Sequence, residues 1–147
     1  GIMSRGLGDV YKRQDAIYAL DFTVTVNASL LTVTKDVIVL NDGLGLEDTT
    51  DDTEDTNALM IPGATIRYVF SINNPTANEA LAVGFTDALP AEVLYEDDGA
   101  NSFGFTDCDS SDTPSLIYDS GDNEIEVDDV TIAAGNTCVV TFDVVIQ

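Results

Sequence analysis

The sequence predicts an all-β protein, a Greek-key β-sandwich of about seven to nine strands with an extra N-terminal strand. Three observations predict this fold class. Asp, Thr and Val are the most frequent residues, whereas a helical protein is rich in Leu, Glu, Lys and Ala. Apolar residues alternate with polar ones along the β-rich stretches, and Asn, Asp, Gly and Pro separate those stretches at short intervals. The length of 147 residues accommodates one such domain.

Two strands are predicted before residue 41. Residues 15–28 form the extra strand, and their period of two is clearest in the stretch DFTVTVN. The sandwich domain itself is predicted to span residues 29–147. Its first strand places Leu31, Val33 and Lys35 on one face and threonines on the other.

Strands and acidic loops alternate in the rest of the chain. Residues 41–56 contain seven acidic side chains and form a predicted solvated loop. A Pro-Gly turn then leads into a strand that ends at Asn73 and shows one apolar face. Further strands are predicted in residues 81–90, 92–98, 102–106, 115–118, 124–127 and 136–147. No helix is predicted.

The body of the chain is strongly acidic. The formal net charge is -22, and Lys35 and Arg67 are the only basic residues after Gln14. Because nucleic-acid binding depends on Lys and Arg, no nucleic-acid partner is expected, and an anionic membrane surface is disfavoured. No apolar run approaches the roughly 20 residues of a membrane helix, so no membrane insertion is expected. Association between copies requires salt or calcium to screen their repulsion.

The first fourteen residues differ from the body. GIMSRGLGDVYKRQ holds three of the five basic side chains. Its last nine residues resemble a string that recurs at the ends of unrelated translated sequences. Residues 1–14 are therefore predicted to be a non-native or flexible leader without a function.

The composition argues against catalysis. The chain has no His and no Trp, which removes the commonest general base and the Ser-His and Cys-His arrangements. No enzyme activity is expected. The two cysteines, Cys108 and Cys138, predict one structural disulfide in an oxidising compartment, with two free thiols as the alternative.

No cofactor is predicted, and calcium is the most credible small ligand. Acidic stretches rich in Gly and Ser supply the oxygen ligands that hard cations prefer. The candidate ligands are Asp48, Asp51, Asp52, Asp107, Asp109 and Asp112. No stretch matches the EF-hand loop, and a solvated acidic surface is the preferred alternative. Asn27 begins an Asn-Ala-Ser glycosylation acceptor, which carries a glycan only outside the cell and in a source that glycosylates.

Three stretches resemble a prokaryotic repeat: LTVTKDV, IPGATIRYVFSINNPTANEALAVGFTDALPAEVLYEDD and IAAGNTCVVTFDVVI. Over about residues 29–147 they are similar to the family called domain of unknown function eleven. The landmarks of that family fall on Lys35, Pro62, Gly63, Tyr68, Asn73, Asp87, Leu89, Pro90, Ala134 and Gly135. The resemblance implies an immunoglobulin-like domain that occurs in tandem on cell surfaces and in secreted proteins, with adhesive or structural roles. The acidic insertion between Lys35 and Pro62 departs from the family pattern.

Lys35 is a candidate for an intramolecular isopeptide bond. First-strand lysines of some surface sandwiches form isopeptide bonds with an Asn on the last strand, beside a buried acid. Asn136 and Asp143 are the candidates in this chain. A lysine that snorkels at a sheet edge, or that pairs with one of the many acids, is the preferred interpretation.

The role of residues 15–27 distinguishes two functional hypotheses. The predicted function is a structural subunit of an extracellular filament or surface layer, in which this segment adds a strand to the next copy, head to tail. The predicted contact residues are Ala16, Ile17, Tyr18, Leu20, Phe22, Val24 and Val26. In the alternative, the chain is an internal repeat of a long surface adhesin or stalk and acts as a spacer or ligand-binding module. Either function places the chain outside the cell, with copies of itself or other surface proteins as partners.

Overall fold

The computed structural model contains two antiparallel β-sheets and confirms the predicted all-β sandwich. It describes residues 2–4, 23–25, 30–44, 59–96, 103–109 and 114–147, and for the first two ranges only the backbone. Within these ranges no helix is long and apolar enough to cross a bilayer. The immunoglobulin-like and Greek-key assignments stay predictions.

The first sheet has the strand order β1–β2–β5–β9–β8 among the described residues. β1 (Ile2–Ser4) and β2 (Thr23–Thr25) are short, and β5 (Ala80–Ala88) and β9 (Glu124–Ile132) are long. β8 (Ser115–Asp119) forms the edge beside β9. β2 lies in the predicted extra strand, whereas β1 lies in the predicted leader, and the boundary between the two segments stays a prediction.

The second sheet is centred on β4 (Thr65–Asn73), which lies between β3 (Thr32–Asn41) and β10 (Thr137–Ile146). β6 (Val93–Tyr95) and β7 (Phe103–Thr106) both pair with the outer side of β10, one near each end of it. The described chain after residue 29 therefore has eight strands, within the predicted number.

Side-chain alternation builds the core between the sheets. On β4, every second residue from Ile66 to Ile72 is fully buried, as the sequence pattern predicts. The facing residues of the other long strands complete the core: Val33, Val83, Phe85, Ile125, Val127, Val130, Ile132, Cys138, Val140, Phe142, Val144 and Ile146. Removal of this apolar surface from water is the main stabilising term of the fold.

β9 runs to Ile132, beyond its predicted end at Val127. Two consecutive acids, Asp128 and Asp129, interrupt the apolar alternation there. Asp129 adopts a positive φ of 59°, and the register with β5 shifts at this point, which is the signature of a β-bulge. The bulge returns Val130 to the core, so the strand continues past the acids.

Asn74, just after β4, is fully buried and ties the ends of three segments together. Its side-chain amide donates to the carbonyls of Asn78 at 2.8 Å and Ile132 at 3.1 Å, and its oxygen accepts from the Thr76 hydroxyl at 2.7 Å. Asn74→Ala is expected to lower the free energy of unfolding by about 2 kcal/mol, because buried carbonyls lose their donors. Urea unfolding followed by circular dichroism measures the change.

Asn73 supplies the matched control. It is half-buried, and its amide bonds the Thr137 hydroxyl at 2.9 Å. Asn73→Ala is expected to cost under about 1 kcal/mol, since water replaces an exposed partner. Equal losses for the two variants would contradict the role given to Asn74.

Candidate functional site: a buried lysine–aspartate pair

Among the described residues, one ionisable pair joins the two sheets through the core. Nζ of Lys35 on β3 donates to Oδ2 of Asp87 on β5 at 2.7 Å. Lys35 is 4% exposed and Asp87 is 0% exposed. Charged residues of these types are almost never fully buried unless they are paired, so the pair is the most unusual chemical feature of the described core.

Strand alternation places both residues in the interior. Lys35 follows Val33 by two residues on β3 and shares its buried face, and Asp87 follows Phe85 by two residues on β5. Each charged side chain therefore occupies a position where the strand pattern calls for an apolar one. Since β3 and β5 belong to opposite sheets, the two side chains meet between the layers.

Aromatic rings surround the lysine end of the pair. Nζ of Lys35 lies 3.9 Å from the ring centroid of Tyr68 and 5.3 Å from that of Phe70. Phe70 also packs against Phe85 with ring centroids 4.7 Å apart. These rings keep water away and favour a cation over their faces.

Burial shifts both ionisation equilibria towards the neutral forms. Desolvation raises the pKa of Asp87 and lowers the pKa of Lys35, while their mutual attraction opposes each shift. Desolvation also raises the pKa of Tyr68, and the nearby Asp87 carboxylate raises it further. Oδ1 of Asp87 has no hydrogen-bond partner in the described part of the chain, so half of this carboxylate is unsatisfied.

The structure confirms that Lys35 pairs with an acid, one of the two preferred interpretations, and shows that it does not snorkel at a sheet edge. Lys35 lies inside the sandwich and pairs with Asp87 rather than with Asp143. Asp143 instead accepts two hydrogen bonds from Arg67, at 2.7 and 3.1 Å. Lys35 on β3 and Val140 on β10 both pair with Phe70 on β4, so Lys35 lies level with Val140. Asn136 precedes β10 and does not lie level with Lys35. Both basic residues of the body are therefore in ion pairs.

The N-terminal strand lies beside this pair. Val24 of β2 is the antiparallel partner of Asp87 on β5. The backbone of β2 thus covers the sheet edge next to the buried carboxylate. The other predicted contact residues, Ala16, Ile17, Tyr18, Leu20, Phe22 and Val26, lie outside the described residues, as does Asn27.

A second polar region surrounds the disulfide that the structure places between Cys108 and Cys138. Asp107 and Asp109, two of the calcium candidates, line an open depression beside it. In the described ranges no three His, Cys, Asp or Glu residues are grouped to hold a metal ion. The remaining candidates, Asp48, Asp51, Asp52 and Asp112, lie outside those ranges, so the calcium site stays a prediction.

Comparison with known proteins gives a family for most of the chain. A family profile matches residues 53–147, from the acidic loop to the C-terminus. The chain belongs to the family described as Domain of unknown function (DUF7933). The DUF7933 match includes Asp87 but begins after Lys35. No curated protein and no solved structure matches the chain. The resemblance to domain of unknown function eleven stays a prediction.

Sequence reasoning did not recognise three buried polar residues as structural. Asp87 and Asn74 are fully buried, and Asp42 is 4% exposed. Asp42 accepts from the backbone of Leu44 at 2.8 Å and of Leu59 at 2.9 Å, so it closes the base of the acidic loop. Only Asp87 had a usable signal, since it continues the apolar alternation of Val83 and Phe85.

Proposed function

We propose that the chain is a structural subunit of an extracellular filament or surface layer, assembled head to tail by exchange of residues 15–27. The observation that carries this proposal is the position of β2, which comes from that segment and pairs with the outer edge of β5. A strand that completes a sheet in its own chain completes the same edge equally well when a neighbouring copy supplies it.

The edge of β5 suits such an exchange. β5 spans nine residues, and within the described ranges its outer side is paired with β2 at Asp87 alone. An extended segment of thirteen residues is long enough to follow the whole of β5. A contact between one copy's N-terminal strand and the next copy's β5 does not close on itself, so it produces a fibre.

The acidic surface sets the condition for assembly. The chain carries a net charge of -22, and its two body cations are already in ion pairs. Copies therefore repel each other until salt shortens the screening length from about 10 Å at 0.1 M to about 3 Å at 1 M. Calcium at the predicted acidic sites acts in the same direction.

Negative-stain electron microscopy and sedimentation of the full chain test the proposal, at 0.1 and 1 M salt and with millimolar calcium. Regular fibres are expected at high salt or with calcium. Val24→Pro is expected to abolish them, because proline removes a backbone donor and disfavours the central position of a paired strand. Monodisperse monomers of the unaltered chain under every condition would overturn the filament function.

The other edge of the same sheet provides the matched control. Ile117 on the edge strand β8 is 54% exposed. Ile117→Lys places a charge on that edge and is expected to leave the fibres intact. Fibres that survive Val24→Pro but disappear with Ile117→Lys would move the contact to β8.

The pairing of β2 with β5 also favours a second function, that of an internal repeat. Because β2 pairs with β5 of its own chain, the edge is also closed within one copy. This arrangement suits an internal repeat of a long surface adhesin or stalk that acts as a spacer or ligand-binding module. Monomers at all salt concentrations, with hydrogen-exchange protection of Val24, support this alternative.

A further inference from the structure

The Lys35–Asp87 contact brings a nucleophile and an acyl group together in a water-poor site. Nζ lies 2.7 Å from Oδ2, and that oxygen is bonded directly to the carboxyl carbon Cγ. Both side chains are at least nine-tenths buried. Rings of Tyr68 and Phe70 lie on the lysine side at 3.9 and 5.3 Å. Proximity of this kind replaces a bimolecular encounter and lowers the barrier to acyl transfer.

Burial also brings the reactive protonation states closer in free energy to the charged pair. An amine attacks a carbonyl only when it is neutral, and a carboxyl group loses its hydroxyl only when it is protonated. Transfer of one proton from the ammonium to the carboxylate produces both states at once. Burial reduces the free-energy cost of this transfer, since it raises the pKa of Asp87 and lowers that of Lys35, while the attraction between the two charges opposes it. In the described chain Oδ1 of Asp87 has no partner that would hold the charged form.

We propose that Lys35 and Asp87 condense into an intramolecular amide that covalently links β3 to β5. Nζ attacks Cγ, the Nζ–Cγ bond forms and the Cγ–Oδ2 bond breaks. Oδ2 leaves as water with the carboxyl proton and one amine proton, Oδ1 becomes the amide oxygen, and the second amine proton stays on nitrogen. The proton from Nζ reaches the leaving oxygen across the same 2.7 Å contact.

Formation of the amide removes the desolvation cost of the two buried charges. Two buried charges become one neutral amide, and the oxygen without a partner becomes a neutral amide oxygen instead of half of a carboxylate. The amide joins residues 52 positions apart and belongs to both sheets, so tension on the sandwich is borne by a covalent bond. This inference does not depend on strand exchange, since both residues belong to one chain.

Intact mass of the purified full chain tests the proposal after the disulfide is reduced and alkylated. The expected mass lies below the sequence mass by about 18 Da, the mass of one water. Lys35→Arg retains a long cationic side chain but removes the amine nucleophile, and it is expected to return the mass to the value of its own sequence. A second variant, Asp87→Ala, removes the acyl group and is expected to do the same.

Peptide mapping assigns the linkage to these two residues. Trypsin cleaves an unlinked body after Arg13, Lys35 and Arg67, which releases residues 14–35, 36–67 and 68–147 as separate peptides. An amide at Lys35 blocks cleavage there and leaves residues 14–67 attached to residues 68–147. Recovery of the three separate peptides, together with the full sequence mass of the unaltered chain, would overturn the proposal.

Discussion

Replacement of Lys35 by methionine is expected to lower the free energy of unfolding by about 3–5 kcal/mol. Methionine fills much of the space of the lysine stem, so the loss comes from the unpaired Asp87 carboxyl group and the missing amide rather than from a cavity. Asp87 is 0% exposed, and it would keep a carboxylate in the core without its 2.7 Å donor. Urea unfolding followed by circular dichroism measures the change against the unaltered chain.

A double variant separates the buried charge from the rest of the effect. In Lys35→Met/Asp87→Leu both charged groups are gone, and two apolar side chains occupy the space between the sheets. The double variant is expected to be more stable than either Lys35→Met or Asp87→Leu, since no unpaired charge remains. Its difference from the unaltered chain combines the loss of the amide linkage with the packing of two new apolar side chains.

The second ion pair of the body provides the comparison. Arg67 and Asp143 are partly exposed, with side-chain exposures of 16% and 11%. Arg67→Met leaves Asp143 within reach of water, so its expected loss is about 1–2 kcal/mol. A Lys35→Met loss no larger than that of Arg67→Met would contradict the importance given to burial.

Strand periodicity predicted most of the fold. The alternation from Ile66 to Ile72 and the run from Thr137 to Ile146 gave strands whose buried faces the structure confirms. In β3 the same alternation put Lys35 on the face of Val33, which is buried. Periodicity failed at Asp128 and Asp129, because a β-bulge admits two polar residues without ending the strand.

Sequence analysis did not identify the partner of Lys35. Asp87 lies 52 residues away on the opposite sheet, and the chain offers 27 acidic residues as candidates. Local patterns fix which face of a strand a residue occupies, but not which strands face each other across the core. The usable signal was the coincidence of a lysine and an aspartate at apolar positions of two buried strands.

Reduction of the disulfide is expected to lower the free energy of unfolding by about 3 kcal/mol. Cys108 follows the edge strand β7, and Cys138 lies near the start of β10, with a sequence separation of 30. A crosslink that closes a loop of this length restricts the unfolded chain, and it also holds the end of β7 against β10. Urea unfolding with and without a reductant measures the loss.

Cys108→Ala/Cys138→Ala is the control for the reductant itself. The double alanine variant is expected to unfold at the same urea concentration with and without reductant, close to that of the reduced unaltered chain. The 35–87 and 108–138 loops share no residues, so the effects of breaking them are expected to add within about 0.5 kcal/mol. An unchanged urea midpoint on reduction of the unaltered chain would show that the bond between Cys108 and Cys138 does not stabilise the sandwich.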